Sequence, residues 1–532
     1  MWRSASTRFP QPSGGMGGDT NRRDEMFDVV VVGCGPVGAL TANLLGVRGV
    51  RTLVVERATG PHGQARAFSC DDEALRIYQQ AGLREEVAAG LHRPSAAEYV
   101  NGRGRAFATI ALDEVDFGLG AAPLHFFDQP RLEAVLRAGL GRFGDLVTLR
   151  TGVELVRLAQ DGDGVALVLR DVGTGAESEV RARYVLGCDG ARSTTRVAAG
   201  VGLAGTSYAE PWLAVSGEVA PGGVRVGTTR FVCDWRRPAF VSPGAFGTYR
   251  LEFMLADGDD PELVARPEGF AGLIAPYVDP ERFTVTRSVV YTFHHLVAER
   301  WRAGRVFLVG DAAHQMPPFL GQGLCSGLRD AANLTWKLAL VLRGEADDAL
   351  LDTYEAERRP HTEEMARTSV RLGRVFLVRD RFAAFARDVL LRAVQAVPRV
   401  RRAIRRFEFK PRPALPGSRG AVGSMFPQPE VLVGGERRLL DDVLGAEFAV
   451  LGPGVDLAVA TGWGGPAARF VRVVPPGGGT GSGIAEVVDV DGVLGAWFAR
   501  HGTDVVVLRP DRFVHATGLS PDVTAGVVSA VR

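Results

Sequence analysis

The sequence predicts an α/β protein in which a parallel sheet with covering helices is interrupted by a mostly antiparallel β domain and followed by a C-terminal domain. Three observations carry this prediction. An apolar run at 27–32 leads through a Gly-rich turn into a helical pattern, as in parallel sheets buried on both faces. Residues at roughly 70–125 and 200–300 are rich in β-branched and aromatic side chains, with turn signals such as 221–223. From about residue 418 the chain changes to short apolar strands separated by Gly and Pro.

A chain of 532 residues is too long for one hydrophobic core, so several domains are expected. We predict a disordered tail at 1–26, a first domain at 27–417 that contains the inserted β domain and ends in a helical linker at about 346–417, and a last domain at 418–532. The net charge of +1 gives no reason to expect a nucleic acid or a membrane as partner. No run approaches the ~18 consecutive apolar residues of a membrane span.

The cysteine content argues against two kinds of site. The chain has five cysteines, an odd number, with no CxxC pair and no His-Cys cluster. This indicates neither a disulfide framework nor a zinc site, and we expect no metal. A reducing cytoplasm suits such a chain, which we expect to be a monomer or a homodimer.

The first ordered segment predicts a dinucleotide-binding unit. A strand at 27–32 is followed by the glycines of a G-x-G-x-x-G motif, Gly33, Gly35 and Gly38, then by a helix and a second strand that ends at Glu56. The first glycine permits a tight turn, the second lets a pyrophosphate approach the backbone, and the third lets the helix lie close to the strand. Free N–H groups at the helix start attract phosphates, and Glu56 can accept hydrogen bonds from a ribose diol.

Two later segments repeat the pattern of an apolar strand that ends on a carboxylate. Residues 183–201 form a strand that ends at Asp189-Gly190 and leads into a short helix. Residues 305–314 form another that ends at Gly310-Asp311, followed by the turn P-x-x-G-Q-G and an amphipathic helix. Each segment alone is only a strand followed by a turn, but their order and spacing after the first motif form a combined pattern.

That combined pattern resembles the single-component FAD-dependent aromatic hydroxylases, the p-hydroxybenzoate hydroxylase-like family of flavoprotein monooxygenases. Within the family, the chain is most similar to the subgroup of 3-(3-hydroxyphenyl)propionate hydroxylases. The resemblance runs from about residue 27 to the end, and the further stretches that carry it are 65–83, 127–136, 310–323, 330–344, 350–361 and 497–518. It implies a Rossmann-like FAD-binding domain, an inserted substrate domain on a mostly antiparallel β-sheet, and a thioredoxin-like C-terminal domain. Because no cysteine follows Cys325, that last domain could not run dithiol chemistry.

The resemblance also implies FAD contacts, residue by residue. Glu56 would hold the adenosine ribose, Asp311 the ribitol or pyrophosphate, and Asp189 would help FAD binding and passage of the nicotinamide. The turn before the helix would lie along the isoalloxazine, and Pro317 would be the catalytic-loop proline. The implied cofactor-binding positions are Gly33, Gly35, Pro36, Gly38, Glu56, Arg57, Arg66, Gln129, Asp189, Gly310, Asp311, Pro317, Gly321, Gly323, Leu324 and Cys325.

The implied reaction is hydroxylation of a phenolic ring. NAD(P)H would reduce FAD, O₂ would add at flavin C4a to give a hydroperoxide, and the electron-rich ring would attack its distal oxygen. The resemblance implies that the nicotinamide docks transiently, and only one convincing dinucleotide motif is present. The Gly-rich stretch 477–483 is predicted to be a flexible loop. NADH and NADPH are left open as the reductant.

Candidate substrate contacts come from aromatic residues of the inserted domain: Trp212, Phe231, Trp235, Phe253, Tyr291 and Phe293. The alternative for each is an ordinary core aromatic. Relatives carry His and Arg where this chain has Phe293 and Leu296, so a candidate base is lost. The neighbouring His294 is the candidate to replace it. Relatives also place Asn where Cys325 stands. We therefore expect a phenolic or enolic substrate more apolar than a hydroxyphenylpropionate.

Two other functions stay open at this point. One is an oxygenase of the same fold that acts on a polyketide-like aromatic by epoxidation or Baeyer–Villiger insertion. The other belongs to a different class: a catalytically degenerate flavin-binding or scaffold protein, suggested by Cys325. A colourless protein that cannot be loaded with FAD would favour the scaffold.

Overall fold

The computed structural model describes residues 26–61, 66–478 and 483–518. Residues 1–25 of the predicted tail and residues 479–482 of the predicted flexible loop therefore lie outside the described residues. The α/β class is confirmed. The parallel sheet, the antiparallel sheet and the C-terminal sheet account for most of the strands.

The first part of the chain alternates between the two larger sheets. Its elements are β1 (Phe27–Val32), α1 (Pro36–Val47), β2 (Thr52–Glu56), β3 (Ser69–Cys70), α2 (Asp72–Gln80), α3 (Arg84–Ala88), β4 (Leu91–His92), β5 (Ala97–Asn101), β6 (Ala106–Ile110), β7 (His125–Phe127), α4 (Gln129–Leu140), β8 (Val147–Thr151), β9 (Val153–Gln160), β10 (Val165–Asp171), β11 (Glu177–Gly187) and α5 (Thr194–Ala198).

The middle part forms most of the antiparallel sheet and then returns to the parallel one. Its elements are β12 (Leu203–Val219), β13 (Thr229–Cys233), β14 (Ala239–Pro243), β15 (Thr248–Met254), α6 (Pro261–Val264), α7 (Pro267–Ile274), β16 (Phe283–Ala298), β17 (Arg302–Ala303), β18 (Val306–Leu308), β19 (His314–Gln315) and α8 (Gly323–Arg343).

The last part begins with three helices and ends in the C-terminal sheet. Its elements are α9 (Thr353–Phe376), α10 (Arg381–Val394), α11 (Pro398–Arg405), β20 (Ala414–Arg419), β21 (Val422–Ser424), β22 (Glu430–Val433), β23 (Glu436–Leu439), α12 (Leu440–Leu444), β24 (Phe448–Gly452), α13 (Leu457–Thr461), β25 (Ala468–Val474), β26 (Ala485–Val488), α14 (Val493–His501), β27 (Val506–Leu508) and β28 (Val514–Thr517).

The parallel sheet has the order β17-β18-β11-β1-β2-β8, with β1, β2, β8, β11 and β18 parallel to one another. The three strands that the sequence predicted to end on a motif are β1, β11 and β18, and they are adjacent. Their carboxyl ends therefore meet at one edge, the place where open α/β sheets bind ligands. Fully buried Val29, Val30 and Val31 explain why β1 is a continuous apolar run.

The antiparallel sheet has the order β19-β16-β12-β15-β14-β13-β5-β6, and only the pair of β13 and β5 is parallel. Side chains alternate between its two faces. On one face Leu213, Leu251 and Phe253 pack in a core with the helices α6 and α7. The other face carries Trp212 and Met254 and turns toward the parallel sheet.

The helix predicted at 346–372 forms as α9 and begins later, at Thr353. Pro360, predicted to break or kink it, lies inside a continuous helix. A proline removes one N–H from the helix, and Pro360 is exposed, so the carbonyl that loses its partner can turn to water. None of the helices in the described ranges is long and apolar enough to cross a membrane.

Buried ion pairs join the C-terminal sheet to the first domain. Arg76 of α2 contacts Asp441 at 2.6 Å, with both side chains at most 2% exposed. Glu357 of α9 contacts Arg509 and Lys337 at 2.8 Å each. The sheet has the strand order β23-β22-β26-β25-β24-β27-β28. Its thioredoxin-like nature stays a prediction.

Candidate active site

One large cavity, about 800 Å³ in volume, lies between the carboxyl ends of the parallel strands and one face of the antiparallel sheet. Its wall contains residues from the three motifs as well as aromatic residues of the inserted domain. The sequence patterns that are far apart in the chain therefore meet at one site, as the order of the motifs predicted.

The glycine motif forms the first part of the wall. Gly33 has φ +98°, and a Cβ there would lie 2.6 Å from the Cys188 carbonyl oxygen. A Cβ on Gly38 would lie 2.0 Å from the Gly33 oxygen, so α1 can approach β1 only because this residue is glycine. A Cβ on Gly35 would meet no atom within 4 Å, and Gly35 and Pro36 line the cavity.

Two helices begin at the cavity without a side-chain cap. The residue before α1 is Gly35, which has no side chain to cap the helix, and the residue before α8 is Gln322, whose side chain makes no capping hydrogen bond. The first N–H groups of a helix need acceptors, and the helix dipole favours a negatively charged one. A dinucleotide with a pyrophosphate and a flavin ring offers such acceptors. The residues present therefore fit FAD.

The acid after β2 is fixed at the cavity wall. Glu56 accepts hydrogen bonds from the backbone N–H of Cys34 at 2.7 Å and of Ala58 at 2.8 Å. Arg57 and Arg66 line the same part of the cavity. The placement suits the role that the sequence predicted for Glu56 at a ribose.

Gln129 and Asp189 line the cavity, but the protein uses most of their hydrogen-bonding capacity. Gln129 accepts from the N–H groups of Arg66 at 2.6 Å and Ala67 at 2.8 Å, and thereby fixes the segment before β3. Asp189 accepts from Ser193 at 2.5 Å and from the Thr195 N–H at 2.9 Å, which shapes the turn after β11. Both residues support the wall.

Asp311 lies on the wall where β18 ends. Its side chain is exposed toward the cavity, and the protein that surrounds the cavity raises the pKa of the carboxyl, a shift that the charges of His314 and Arg66 oppose. Asp330 of α8 is fully buried behind it and accepts from the Gly310 N–H at 3.2 Å, from His314 Nε2 at 2.6 Å and from Arg358 Nε at 3.0 Å. Sequence reasoning missed Asp330, although the stretch 330–344 carried part of the resemblance.

The turn between β19 and α8 closes another side of the cavity. Gly321 has φ +66°, and Gly321, Gly323 and Leu324 line the wall. Pro317 does not line it; its carbonyl accepts from Ser369 of α9 at 2.8 Å, so Pro317 anchors the turn. Gly38 and Gly310 likewise support the wall from behind it.

Cys325 lies on the side of α8 that faces away from the cavity wall. Its thiol is 1% exposed and is buried together with Cys70 and Tyr78 in the core. Burial, followed by the charge of Asp71, raises the pKa of the Cys325 thiol. The structure thus places this residue in packing between α8 and the α2 region, which does not support the predicted FAD contact.

Four of the six predicted substrate residues meet at the cavity: Trp212, Phe231, Tyr291 and Phe293. Their rings pack with side chains from the turn and from α9. Trp212 lies 5.5 Å from Phe293 and 5.8 Å from Phe376, measured between ring centroids. The result is an aromatic compartment at the end of the cavity away from the glycine motif.

Two predicted substrate residues lie elsewhere. Phe253 is 3% exposed and belongs to the opposite face of the antiparallel sheet, because its position on β15 has the other parity from Met254. Trp235 follows the end of β13, outside the cavity lining, and Arg236 stacks on its ring at 4.7 Å. His294 lines the cavity, and its Nδ1 lies 2.8 Å from the Ser207 hydroxyl.

Sequence reasoning named Tyr291 but missed its two charged partners in the cavity wall, Arg250 and Glu252. Arg250 Nε donates to Glu252 at 2.7 Å, and the Tyr291 hydroxyl donates to Glu252 at 3.0 Å. The signal was present in the alternation of TYRLEFM, where residues 250, 252 and 254 share a face.

The chain matches two known protein families over most of its length. Residues 26–369 match the family model described as FAD binding domain, and residues 423–531 match the HcaD C-terminal domain. The chain is 39% identical over 529 residues to a 3-(3-hydroxy-phenyl)propionate/3-hydroxycinnamic acid hydroxylase 2 of Burkholderia vietnamiensis, with coverage of 95% of this chain and 96% of that protein. A hydroxylase of the same printed name from Mycobacterium sp. is also 39% identical, over 93% of this chain and 90% of that protein.

Solved structures show the same fold over nearly the whole chain. The flavin-dependent monooxygenase PieE, in complex with FAD and substrate, has a TM-score of 0.76 at 24% identity, over 95% of this chain and 100% of that one. The anhydrotetracycline hydroxylase OxyS of Streptomyces rimosus has a TM-score of 0.74 at 25% identity, over 95% and 98%. From the family match, the relatives and a cavity that fits FAD, we conclude that this chain belongs to the FAD-dependent aromatic hydroxylases.

Proposed function

We propose that the chain hydroxylates a phenol whose ring lies in the aromatic compartment and whose substituents are more apolar than a propionate. The observation that carries the proposal is the wall itself, where Trp212, Phe293, Phe319 and Phe376 surround the space. Phe293 takes part in this packing, which supports the apolar environment expected from its sequence position. Leu296 pairs with Gln315 on β19 and is outside the cavity lining.

The distribution of positive charge supports an apolar substrate. Five arginines line the described cavity wall. Three of them, Arg57, Arg137 and Arg192, lie on segments that carry or flank the dinucleotide motifs, and Arg66 lies where the two parts of the cavity meet, its carbonyl accepting from Arg250 at 3.5 Å. The fifth, Arg250, is paired with Glu252 at 2.7 Å. A substrate carboxylate in the aromatic compartment would therefore have to compete with Glu252 for its cation.

FAD supplies the redox chemistry that activates O₂, with NAD(P)H as reductant. The residues of this chain position the cofactor and the substrate. The uncapped starts of α1 and α8 and the carboxylates Glu56 and Asp311 bind and orient the cofactor, and the aromatic compartment orients the ring and excludes water.

A matched pair of phenols tests the substrate proposal: 3-(3-hydroxyphenyl)propionate and 3-propylphenol, which lacks the carboxylate. We expect NADH or NADPH oxidation coupled to a product that gains one oxygen atom, with the higher kcat/KM for 3-propylphenol. A preference for the propionate would contradict the proposed substrate class. NAD(P)H oxidation that yields only peroxide with every phenol would contradict the hydroxylase function.

The site assignment has a separate test in Asp311→Ala. Removing this carboxylate from the wall should lower the FAD content of the purified protein, measured by flavin absorbance, while leaving its fold intact by circular dichroism. Asp347→Ala, at an exposed position whose side chain makes no helix-capping bond, is the control. Full FAD loading of Asp311→Ala would show that the cofactor lies elsewhere.

A further inference from the structure

The helices α10 and α11 present an unusually apolar face to solvent. Their inner sides are anchored on the antiparallel sheet, because both helices pack on β6 and Arg387 of α10 donates to the Cys233 carbonyl at 2.8 Å. A surface helix normally turns polar side chains to water, and a contiguous apolar patch marks an interaction site. Five large apolar side chains on and just after α10 are exposed instead, the first two at 79% and 71%: Phe382, Phe385, Val389, Leu390 and Val397.

The same segment, 379–406, is strongly basic, and we call its exposed side the α10–α11 surface. It contains nine arginines and two aspartates, a net charge of +7, whereas the whole chain carries +1 and the remainder therefore −6. The low net charge of the chain thus averages over an uneven distribution. Asp380 caps α10 by accepting from the Ala383 N–H at 2.7 Å, and buried Asp388 pairs with Arg387 at 2.8 Å.

Most of the exposed arginines of this surface are available to a partner. Arg379 pairs with Asp257 at 3.2 Å, and Arg405 pairs with Glu114. Six other exposed arginines form no ion pair with any residue that the structure describes: Arg381, Arg392, Arg399, Arg401, Arg402 and Arg406. A partner that satisfies both features of the surface is apolar and carries negative charge.

We propose that the α10–α11 surface binds the surface of an anionic lipid bilayer. Phe382 and Phe385 enter the boundary between head groups and acyl chains, and the arginines contact the anionic head groups. This is the arrangement of an amphipathic helix that lies in the interface plane without crossing the bilayer.

The substrate cavity lies next to the same segment. Phe376, four residues before Asp380, and Phe407, directly after the segment, both line the cavity. A protein held on a bilayer through this surface therefore has its aromatic compartment close to the lipid, where apolar phenols partition. This consequence rests on the proposed function, whereas the binding itself does not.

Two other occupants fit the surface less well. A second copy of this chain in a twofold contact would bring two surfaces of charge +7 together, and like charges at an interface are unfavourable. A nucleic acid is held mainly through its phosphates. Between 382 and 397, however, Arg392 is the one exposed cation among the five exposed apolar side chains.

Vesicle flotation tests the proposal on the full-length, FAD-loaded protein. Vesicles of equal parts phosphatidylcholine and phosphatidylglycerol should carry the protein to the top of a density gradient at low salt. Vesicles of phosphatidylcholine alone should bind it much more weakly, and added NaCl should reduce binding to the mixed vesicles because it screens charge. Wild-type protein that does not float with the mixed vesicles would overturn the proposal.

Two double variants separate the apolar part of the surface from the charged part. Phe382→Ser with Phe385→Ser should lower the affinity for the mixed vesicles at least ~10-fold, because burial of even one phenylalanine contributes that much. Arg402→Gln with Arg406→Gln should lower it about 25-fold, because each arginine near an anionic surface contributes about fivefold.

Matched controls come from exposed residues in other parts of the chain. Val197→Ser with Leu457→Ser removes two apolar side chains that are 70% and 55% exposed, on α5 and α13. Arg437→Gln with Arg438→Gln removes two exposed arginines from β23. Both controls should bind the mixed vesicles as wild type does. Circular dichroism and flavin absorbance show that each variant is folded and loaded.

Three further results would overturn the inference. Wild-type affinity in both surface variants would place the lipid contact elsewhere. Sedimentation velocity that shows a wild-type dimer and a monomeric phenylalanine variant would show that a second copy covers the surface. Tighter binding to single-stranded DNA than to the mixed vesicles, lost in the arginine variant, would identify a nucleic-acid site. Flotation uses neither a phenol nor NAD(P)H, so failure of the proposed function would leave its result unchanged.

Discussion

Gly38→Ala should lower the stability of the folded protein, because it disrupts the packing of α1 against the turn after β1, and should weaken FAD binding as a consequence. The added Cβ would lie 2.0 Å from the Gly33 oxygen and 2.9 Å from the Gly33 carbonyl carbon, whereas ordinary contacts begin near 3.4 Å. Both contacts are with backbone atoms. To lengthen the distance between the Cβ and the Gly33 oxygen from 2.0 Å to 3.4 Å, α1 would have to move away from the turn after β1 by more than 1 Å. Overpacking of this kind costs about 1–3 kcal/mol.

Gly35→Ala is the matched substitution in the same motif. Its Cβ would meet no protein atom within 4 Å, and the φ of −69° at this position suits alanine. The stability without FAD should change by less than ~0.5 kcal/mol. The methyl group would nevertheless stand where the pyrophosphate approaches the backbone, so we expect the Kd for FAD to rise at least ~10-fold, or about 1.4 kcal/mol.

Denaturant unfolding of the FAD-free proteins and fluorescence titration with FAD separate the two effects. Gly38→Ala should lower the unfolding midpoint and weaken FAD binding, and Gly35→Ala should weaken FAD binding alone. An unfolding midpoint for Gly38→Ala equal to that of wild type would refute the close approach of α1 to β1. Unchanged FAD affinity in Gly35→Ala would refute the position of the pyrophosphate.

Three further outcomes are expected. Asp330→Asn should lower FAD content and stability together, because the buried carboxylate holds three donors behind the cavity; unchanged flavin absorbance would contradict this. Glu357→Gln should destabilise the protein by about 3–5 kcal/mol by leaving buried cations without their carboxylate, whereas Glu364→Gln, exposed on the same helix, should leave the denaturant midpoint unchanged. Burial alone would raise the pKa of Glu357, but two neighbouring cations hold it well below the ordinary value. Its stabilisation is thus present above about pH 4.3 and lost as the pH falls through the lower native pKa, so Glu357→Gln should show a shallower acid unfolding curve. Cys325→Ala should leave the flavin spectrum and FAD affinity unchanged; a shifted spectrum would mean that the thiol contacts the ring.

The parts of the site that the sequence predicted follow from local rules. Gly33 and Gly38 are needed because of backbone contacts that any side chain would violate, and Glu56 and Asp311 are placed by the strands that precede them. Such features depend on a few neighbouring residues, so the sequence alone is enough to place them after the correct strands.

The parts that were missed depend on pairing between distant strands. Phe253 and Tyr291 look equivalent as aromatic residues in β-rich sequence, and only the register of β12 with its two neighbours puts them on opposite faces. Glu252 and Tyr291 are 39 residues apart, and their hydrogen bond crosses a third strand. A charged residue such as Glu252 looks solvent-exposed until that partner is known.

The ion pairs between the first domain and the C-terminal sheet have a consequence for biosynthesis. Arg76 and Glu357 leave the ribosome long before Asp441 and Arg509, their buried partners. Until those partners arrive, the nascent FAD-binding domain must keep these two charges hydrated or paired with other groups, and α2 and α9 lack these final contacts. The two domains are in this sense one cooperative folding unit. Limited proteolysis of the loop near residue 420 should therefore yield two fragments that stay associated and keep FAD, rather than an autonomous flavin domain.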